Sequence, residues 1–200
     1  MPAPLCIEDL RERAQKGERF VYCHFYGHTP RSDGKLSNAI FSQFYASPFS
    51  VDGQAYNCAE QWMMAGKARL FGDDAVLTQI LAAQSPQECK TLGRQVRNYD
   101  EAGWQKKRFD LVTFGNLAKF EQNKELGDYL LATGEEILVE AAKNDPIWGI
   151  GMHRNDPGAD KPLRWLGQNL LGFALIKVRA ALRGDLEIVR SEADFNRLSP

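Results

Sequence analysis

The sequence predicts an α+β fold, predominantly helical, in one compact domain with a small β element. Helical patterns cover most of the chain after Cys58. Strand signals are confined to short stretches near Tyr22, Val51 and Val139. The 200 residues suffice for one core, and a chain of this size buries roughly 70% of its unfolded surface.

"LCIEDLRERAQKG" is a short helix stopped at Gly17. "RFVYCHFYG" is dense in aromatic and β-branched residues and reads as a strand. "HTPRSDGKLSN" is a loop. Two apolar runs flank Asp52-Gly53, a hairpin signal. A helix follows from about Cys58 to Leu70, with Asn57 expected as its N-cap, then another over "DAVLTQILAA". Ser85, Pro86 and Glu88 form a capping box that opens a third. "WQKKRFDLVTFGNLAKFEQ" is a long helix whose basic cluster reads as a solvated face, and "KELGDYLLATG" is a shorter one. "EEILVEAA" favours strand. "NDPIWGIGMHRNDPGADKP" holds too much glycine and proline for regular structure, and "WLGQNLLGFALIKVRAALRG" closes the chain as an amphipathic helix. The expected organisation is an N-terminal helix at 1–18, a domain at 19–183 and a tail at 184–200.

Apolar residues make up 44% of the chain and charged residues 26%, ordinary for a soluble globular protein. A formal charge of −1 gives no global pull towards nucleic acid or anionic membrane. No apolar window reaches the roughly 20 residues of a membrane span. The first residues become charged before any signal-like apolar run develops. Cys6, Cys23, Cys58 and Cys89 lie far apart, so reduced buried thiols in a cytoplasmic protein are expected. His24, His28 and His153 make no convincing metal set, and no metal or redox cofactor is expected.

Glu60 stands in "YNCAEQWMMAGKARLFGD" with Met63, Met64 and Lys67 on the same helical face. Two readings compete. With Asn57 as N-cap, Glu60 is the third helical residue and bonds back to the cap N–H. As a carboxylate on an apolar first turn it is desolvated, which raises its pKa and makes it a better base. "NDPIWGIG" is the second candidate: Trp148 beside Gly149 and Gly151 offers a flat ring for stacking and backbone N–H groups for an anion. A tight turn around a core tryptophan explains it equally well. Arg31, Lys35 and Asn38 sit in the early loop, and Asn169, a polar amide on the otherwise apolar closing helix, wants a partner from protein, water or ligand.

The ordered segments "SNAIFSQFYASPFSVDGQAYNCAEQWMMAGKARLFGD", "SPQECKTLGRQVRNYD", "W…KFEQN", "LLATG", "LVEAAKNDPIWGIG" and "GQNLLGFALIKVR" resemble the NADAR family, also described as YbiA-like. The resemblance spans about Phe20 to Arg179. It implies a compact, mostly helical α+β domain and hydrolysis of an N-glycosidic bond. The family includes N-glycosidases of phosphorylated ribosylamine intermediates of riboflavin biosynthesis, and hydrolases that remove ADP-ribose from guanine in nucleic acid. A non-catalytic ADP-ribose or nucleotide binder is the remaining reading.

By this resemblance Glu60 and Asp145 are the catalytic carboxylates. Ser37 and Asn38, Lys67, Trp148 and Asn169 match family positions, and Gly149 follows Trp148 in the glycine loop. Gln61 stands where many members carry histidine. Breaking a C1′–N bond develops positive charge on the sugar, so a carboxylate stabilises the cation or activates water. Glu60 is expected in that role, with Asp145 anchoring sugar hydroxyls or sharing acid–base work. Trp148 would stack on the base, with Tyr56 or Phe44 opposite. Lys67 and Arg31 would hold phosphate. The partners implied are a phosphorylated ribosyl small molecule or ADP-ribosylated guanine, with no membrane.

Overall fold

A computed structural model of the protein describes residues 2–188. The chain is α+β and predominantly helical. Its backbone contacts divide it into two units: one combines the chain up to Ser42 with Glu125–Leu186, and the other holds Gln43–Lys124. The expected tail at 184–200 falls mostly on 189–200, outside the described residues.

In the helical unit, β2 (Phe49–Val51) and β3 (Gln54–Tyr56) form the expected antiparallel hairpin. Asp52 and Gly53 both take positive φ, 47° and 84°, as a two-residue type I′ turn requires. Next comes α2 (Ala59–Leu70), against which α3 (Asp74–Ala82), α4 (Pro86–Gly93) and α5 (Glu101–Gln122) all pack. Surrounded in this way, α2 is buried on nearly every face, so it lacks an amphipathic stripe. Glycines set the close approach. A Cβ on Gly115 of α5 would fall 2.1 Å from the Trp62 ring, and one on Gly93 of α4 would fall 2.0 Å from Met64 Sδ. Trp62 Nε1 donates to Leu111 O at 2.8 Å, locking α2 to α5. Three helices open on side-chain caps: Asp73, Ser85 and Asp100 accept from Val76 N, Glu88 N and Gly103 N. Glu88 then reaches back to Gln84 N rather than to Ser85 N.

The other unit begins with α1 (Ile7–Gln15) and carries a parallel pair, β1 (Tyr22–Phe25) beside β4 (Ile137–Glu140), in register Tyr22↔Ile137 to Phe25↔Glu140. Ile137, Leu138 and Val139 are wholly buried, as a parallel strand covered on both faces should be. Helix α6 (Lys124–Ala132) precedes β4, and α7 (Leu170–Arg183) packs on it. Arg11 of α1 donates to Pro162 O and Trp165 O.

Four expectations need correction. The N-cap of α2 is Cys58, with no side-chain cap bond, so Glu60 is the second helical residue and the Asn57 capping box does not form. Asn169 precedes α7 in a left-handed conformation, φ 54°, so the closing helix starts at Leu170 and not at Trp165. Cys6 is exposed, unlike the other three thiols. In the basic cluster of α5, Arg108 is buried while Lys106 is exposed. No helix among the described residues is long and apolar enough to cross a membrane.

Gly115→Ala should destabilise the protein by about 1–3 kcal/mol, the range for overpacking. The indole that meets the new Cβ is held by its bond to Leu111 O and cannot swing aside. Denaturant unfolding checks this.

Candidate active site

The hairpin delivers the chain directly into α2, which places Glu60 in the first turn and inside the core, 3% exposed. No side chain caps this helix. Instead Gln43 O accepts Glu60 N at 2.9 Å. Gln61 stabilises the same entry: its Oε1 accepts Asn57 N at 2.7 Å and its Nε2 donates to Ile80 O at 2.9 Å at the end of α3. Its carboxamide is therefore a backbone clamp, which explains a glutamine at this position.

Around Glu60 the helical unit buries further polar groups. Gln43 is 8% exposed, and Asn116 and Lys119 of α5 are fully buried. Asn116 Nδ2 donates to Gln43 Oε1 at 2.8 Å, and Lys119 lies one turn further along the same face of α5. The Lys119 ammonium stands 5.9 Å from the Tyr45 ring centre and 5.0 Å from that of Phe120. Burial pulls its pKa down to about 7. Cys58 links the groups electrostatically: burial raises its thiol pKa, Glu60 adds to the rise and Lys119 opposes it. The unit thus holds a desolvated carboxylate and an amine that titrates near neutrality. Half-buried Phe44 and Tyr45 follow Gln43 in the chain.

The other expected residues of this unit have structural partners. Lys67 Nζ donates to Gly93 O at 2.8 Å, closing the end of α4, and lies 4.2 Å over the Tyr99 ring. Burial lowers its pKa. Tyr56 is 1% exposed, receives a hydrogen bond from Arg69 at 2.8 Å and packs edge-on against Trp62. It is a core ring, so Phe44 is the better placed of the two aromatics named for stacking.

In the strand-bearing unit, Asp145, Trp148, Gly149 and Asn169 come together beyond the carboxyl end of β4. Asp145 Oδ1 accepts Ile147 N at 3.0 Å and Trp148 N at 2.8 Å, a local turn. Leu171 N donates to Trp148 O and Asn169 N to Gly149 O, stitching this loop to the start of α7. Trp148 is half-buried. A Cβ on Gly149 would meet Glu140 O at 2.8 Å, so the close backbone packing requires glycine there. Asn169 Oδ1 accepts Glu140 N and its Nδ2 donates to Leu138 O, both at 2.9 Å. Asn38 donates to His24 O at 2.9 Å and accepts from Tyr129 at 3.0 Å. Arg31 is exposed and held in a two-point pair by Asp33. A groove of about 700 Å³ beside Tyr22 and Lys161 contains none of the expected site residues. Among the described residues no three His, Cys, Asp or Glu side chains gather as a metal would require.

The model of the NADAR domain matches residues 24–183. The chain belongs to the NADAR family. N-glycosidase R617 of Acanthamoeba polyphaga mimivirus is 40% identical over 163 residues, 79% of this chain and 94% of that protein. N-glycosidase YbiA of Escherichia coli K12 is 32% identical over 142 residues, 71% of this chain and 80% of that one. The solution NMR structure of E. coli YbiA superposes with a TM-score of 0.64 at 27% identity, covering 84% of this chain and 88% of the other.

Three buried polar residues of this NADAR chain escaped sequence reasoning as individual residues: Gln43, Asn116 and Lys119. A signal existed. Asn116 and Lys119 interrupt the apolar run "LVTFGNLAKF", and Lys119 opens the quoted "KFEQN".

Asn169→Ala should cost about 1–3 kcal/mol, the range for leaving a buried group unsatisfied, because the Glu140 N–H and Leu138 carbonyl lose their partners. Faster hydrogen exchange at the Glu140 amide, with a lowered melting temperature, is the expected result.

Proposed function

We propose that this chain, an N-glycosidase like its relatives, hydrolyses the C1′–N bond of a phosphorylated ribosylamine, the class of intermediate found in riboflavin biosynthesis. The observation that supports this reading is the buried pair of functions in the helical unit: the Glu60 carboxylate and the Lys119 amine, whose pKa is about 7. Cleavage leaves the bonding electrons on nitrogen and positive charge across C1′ and the ring oxygen. Glu60 faces that charge and takes a proton from the attacking water. Lys119 in its ammonium form gives a proton to the departing nitrogen. Water oxygen ends on C1′, and the two proton transfers balance. One amine of lowered basicity and one carboxylate divide the acid and base work. Asp145 is less suited, because its Oδ1 is engaged by two backbone N–H groups.

The reading is tested by incubating the enzyme with a ribosylaminopyrimidine 5′-phosphate and, separately, with ADP-ribosylated guanosine, and following free base by chromatography. Release from the first and not from the second is expected. The opposite preference overturns the choice of substrate.

Two variants test the chemistry. Glu60→Gln keeps the side-chain shape and should melt near the wild type. Its single-turnover rate should fall by about 10²–10⁴-fold, the usual range of general acid–base assistance. For Lys119 the sign follows from the lowered pKa. The ammonium form predominates below about pH 7 and is lost above it. A proton donor therefore gives a turnover rate that declines as pH rises through that value. Lys119→Met should be slower and should lack this alkaline limb. An unchanged pH profile in Lys119→Met removes the amine from the proton path.

A further inference from the structure

We infer that Gln43 and Asn116 form the element that reads the ribose hydroxyls of the substrate, a role that rests on the function proposed above. The orientation of both carboxamides is determined by acceptors. Asn116 Nδ2 lies 2.8 Å from Val112 O and 2.8 Å from Gln43 Oε1. A backbone carbonyl only accepts, so the nitrogen of Asn116 must face it, and the atom of Gln43 that meets this nitrogen must be its oxygen. Two atoms are left over: Asn116 Oδ1, an acceptor, and Gln43 Nε2, a donor. Both are buried and neither has a hydrogen-bond partner among the described residues.

One acceptor and one donor, carried by two carboxamides that bond each other at their other ends, match a vicinal diol, in which each hydroxyl both donates and accepts. Position favours the ribose over the base. Gln43 O is bonded to the backbone of Glu60, the carboxylate placed against C1′. That bond fixes Gln43 beside the first turn of α2, and its side chain is assigned to the sugar position next to C1′, the 2′-hydroxyl. Hydrogen bonds to that hydroxyl strengthen as the sugar becomes cationic. Phe44 and Tyr45, next in the chain and half-buried, are left to the apolar faces of the ligand.

The probes are ribose 5-phosphate and 2-deoxyribose 5-phosphate, measured by calorimetric titration of the intact enzyme. The wild type should bind the ribo compound at least about tenfold more tightly, since a sugar lacking the hydroxyl leaves buried groups unmatched. Gln43→Met removes the amide at similar length. It should bring the ratio close to one by weakening the ribo compound while leaving the deoxy compound unchanged. Asn116→Leu should do the same. If this fully buried site does not tolerate leucine, Gln43→Met alone decides. A merely structural role would weaken both sugars together and keep the ratio, which overturns the inference. A wild-type enzyme that hydrolyses its glycoside but binds the two sugars alike also overturns it, and leaves the proposed function standing. An enzyme that neither hydrolyses the glycoside nor binds ribose 5-phosphate overturns both.

Discussion

The close approach of α4 and α5 to α2 is the constraint on which the helical unit depends. Glycine at 66, 93 and 115 lets Leu111, Met64 and Trp62 occupy space that any Cβ would fill. Packing at this distance leaves the stretch Ala59–Gly66 of α2 no solvent face, and so its first turn is buried. A polar side chain in that turn cannot reach water by a change of rotamer. Glu60 is therefore held in the interior by the same contacts that hold the helix. Leaving buried polar groups unmatched costs about 1–3 kcal/mol each, which is why the entry to α2 is crossed by bonds from Gln43 O and the Gln61 carboxamide. Burial of the carboxylate and satisfaction of the helix end are one structural solution.

The same enclosure accounts for Lys119. In water an ammonium is strongly hydrated, and removing that hydration disfavours the charged form. Two aromatic rings lie near the Lys119 nitrogen, with centres 5.9 and 5.0 Å from it. The amine is accordingly less basic by several powers of ten than a surface lysine. Lys67 shows the contrast. It is only half-buried, bonded to Gly93 O and set over Tyr99, and burial lowers its pKa. Lys67 closes a helix end, whereas the fully buried Lys119 has its pKa pulled down to about 7.

Much of the fold was legible in the sequence because its signals are local. Asp52-Gly53 demands positive φ at both residues, and Ser85-Pro86 with Glu88 can hardly do other than start a helix. The parallel partnership of β1 with β4 was not legible, since more than a hundred residues separate them and no short-range pattern encodes the pairing. Asn57 was misplaced as a cap because a capping box is read from residue types, whereas the chain here uses the distant Gln43 carbonyl. At the site, Glu60 stood out as a charge among apolar residues. Lys119 did not, because a lysine in a long helix is ordinarily on its solvated face, and only the packing of α5 shows otherwise.

Asparagine and glutamine show how far such reading extends. Asn38, Gln61, Asn169 and Asn116 all interrupt apolar sequence, and residue type cannot sort them. Geometry does, by asking where each end of the carboxamide goes. Asn169 supplies an acceptor to Glu140 N and a donor to Leu138 O, the two bonds a neighbouring strand would make, so it finishes the open edge of β4. Gln61 joins two backbone segments, and Asn38 joins His24 O to Tyr129. In each of these both ends are taken up by the protein, and the residue holds the fold together. Asn116 and Gln43 satisfy each other at one end and leave a donor and an acceptor over at the other. A fold that needed only internal closure could have used two apolar side chains there at no loss. Polar atoms kept buried in the unit that also buries Glu60 fit the inferred role of meeting a ligand.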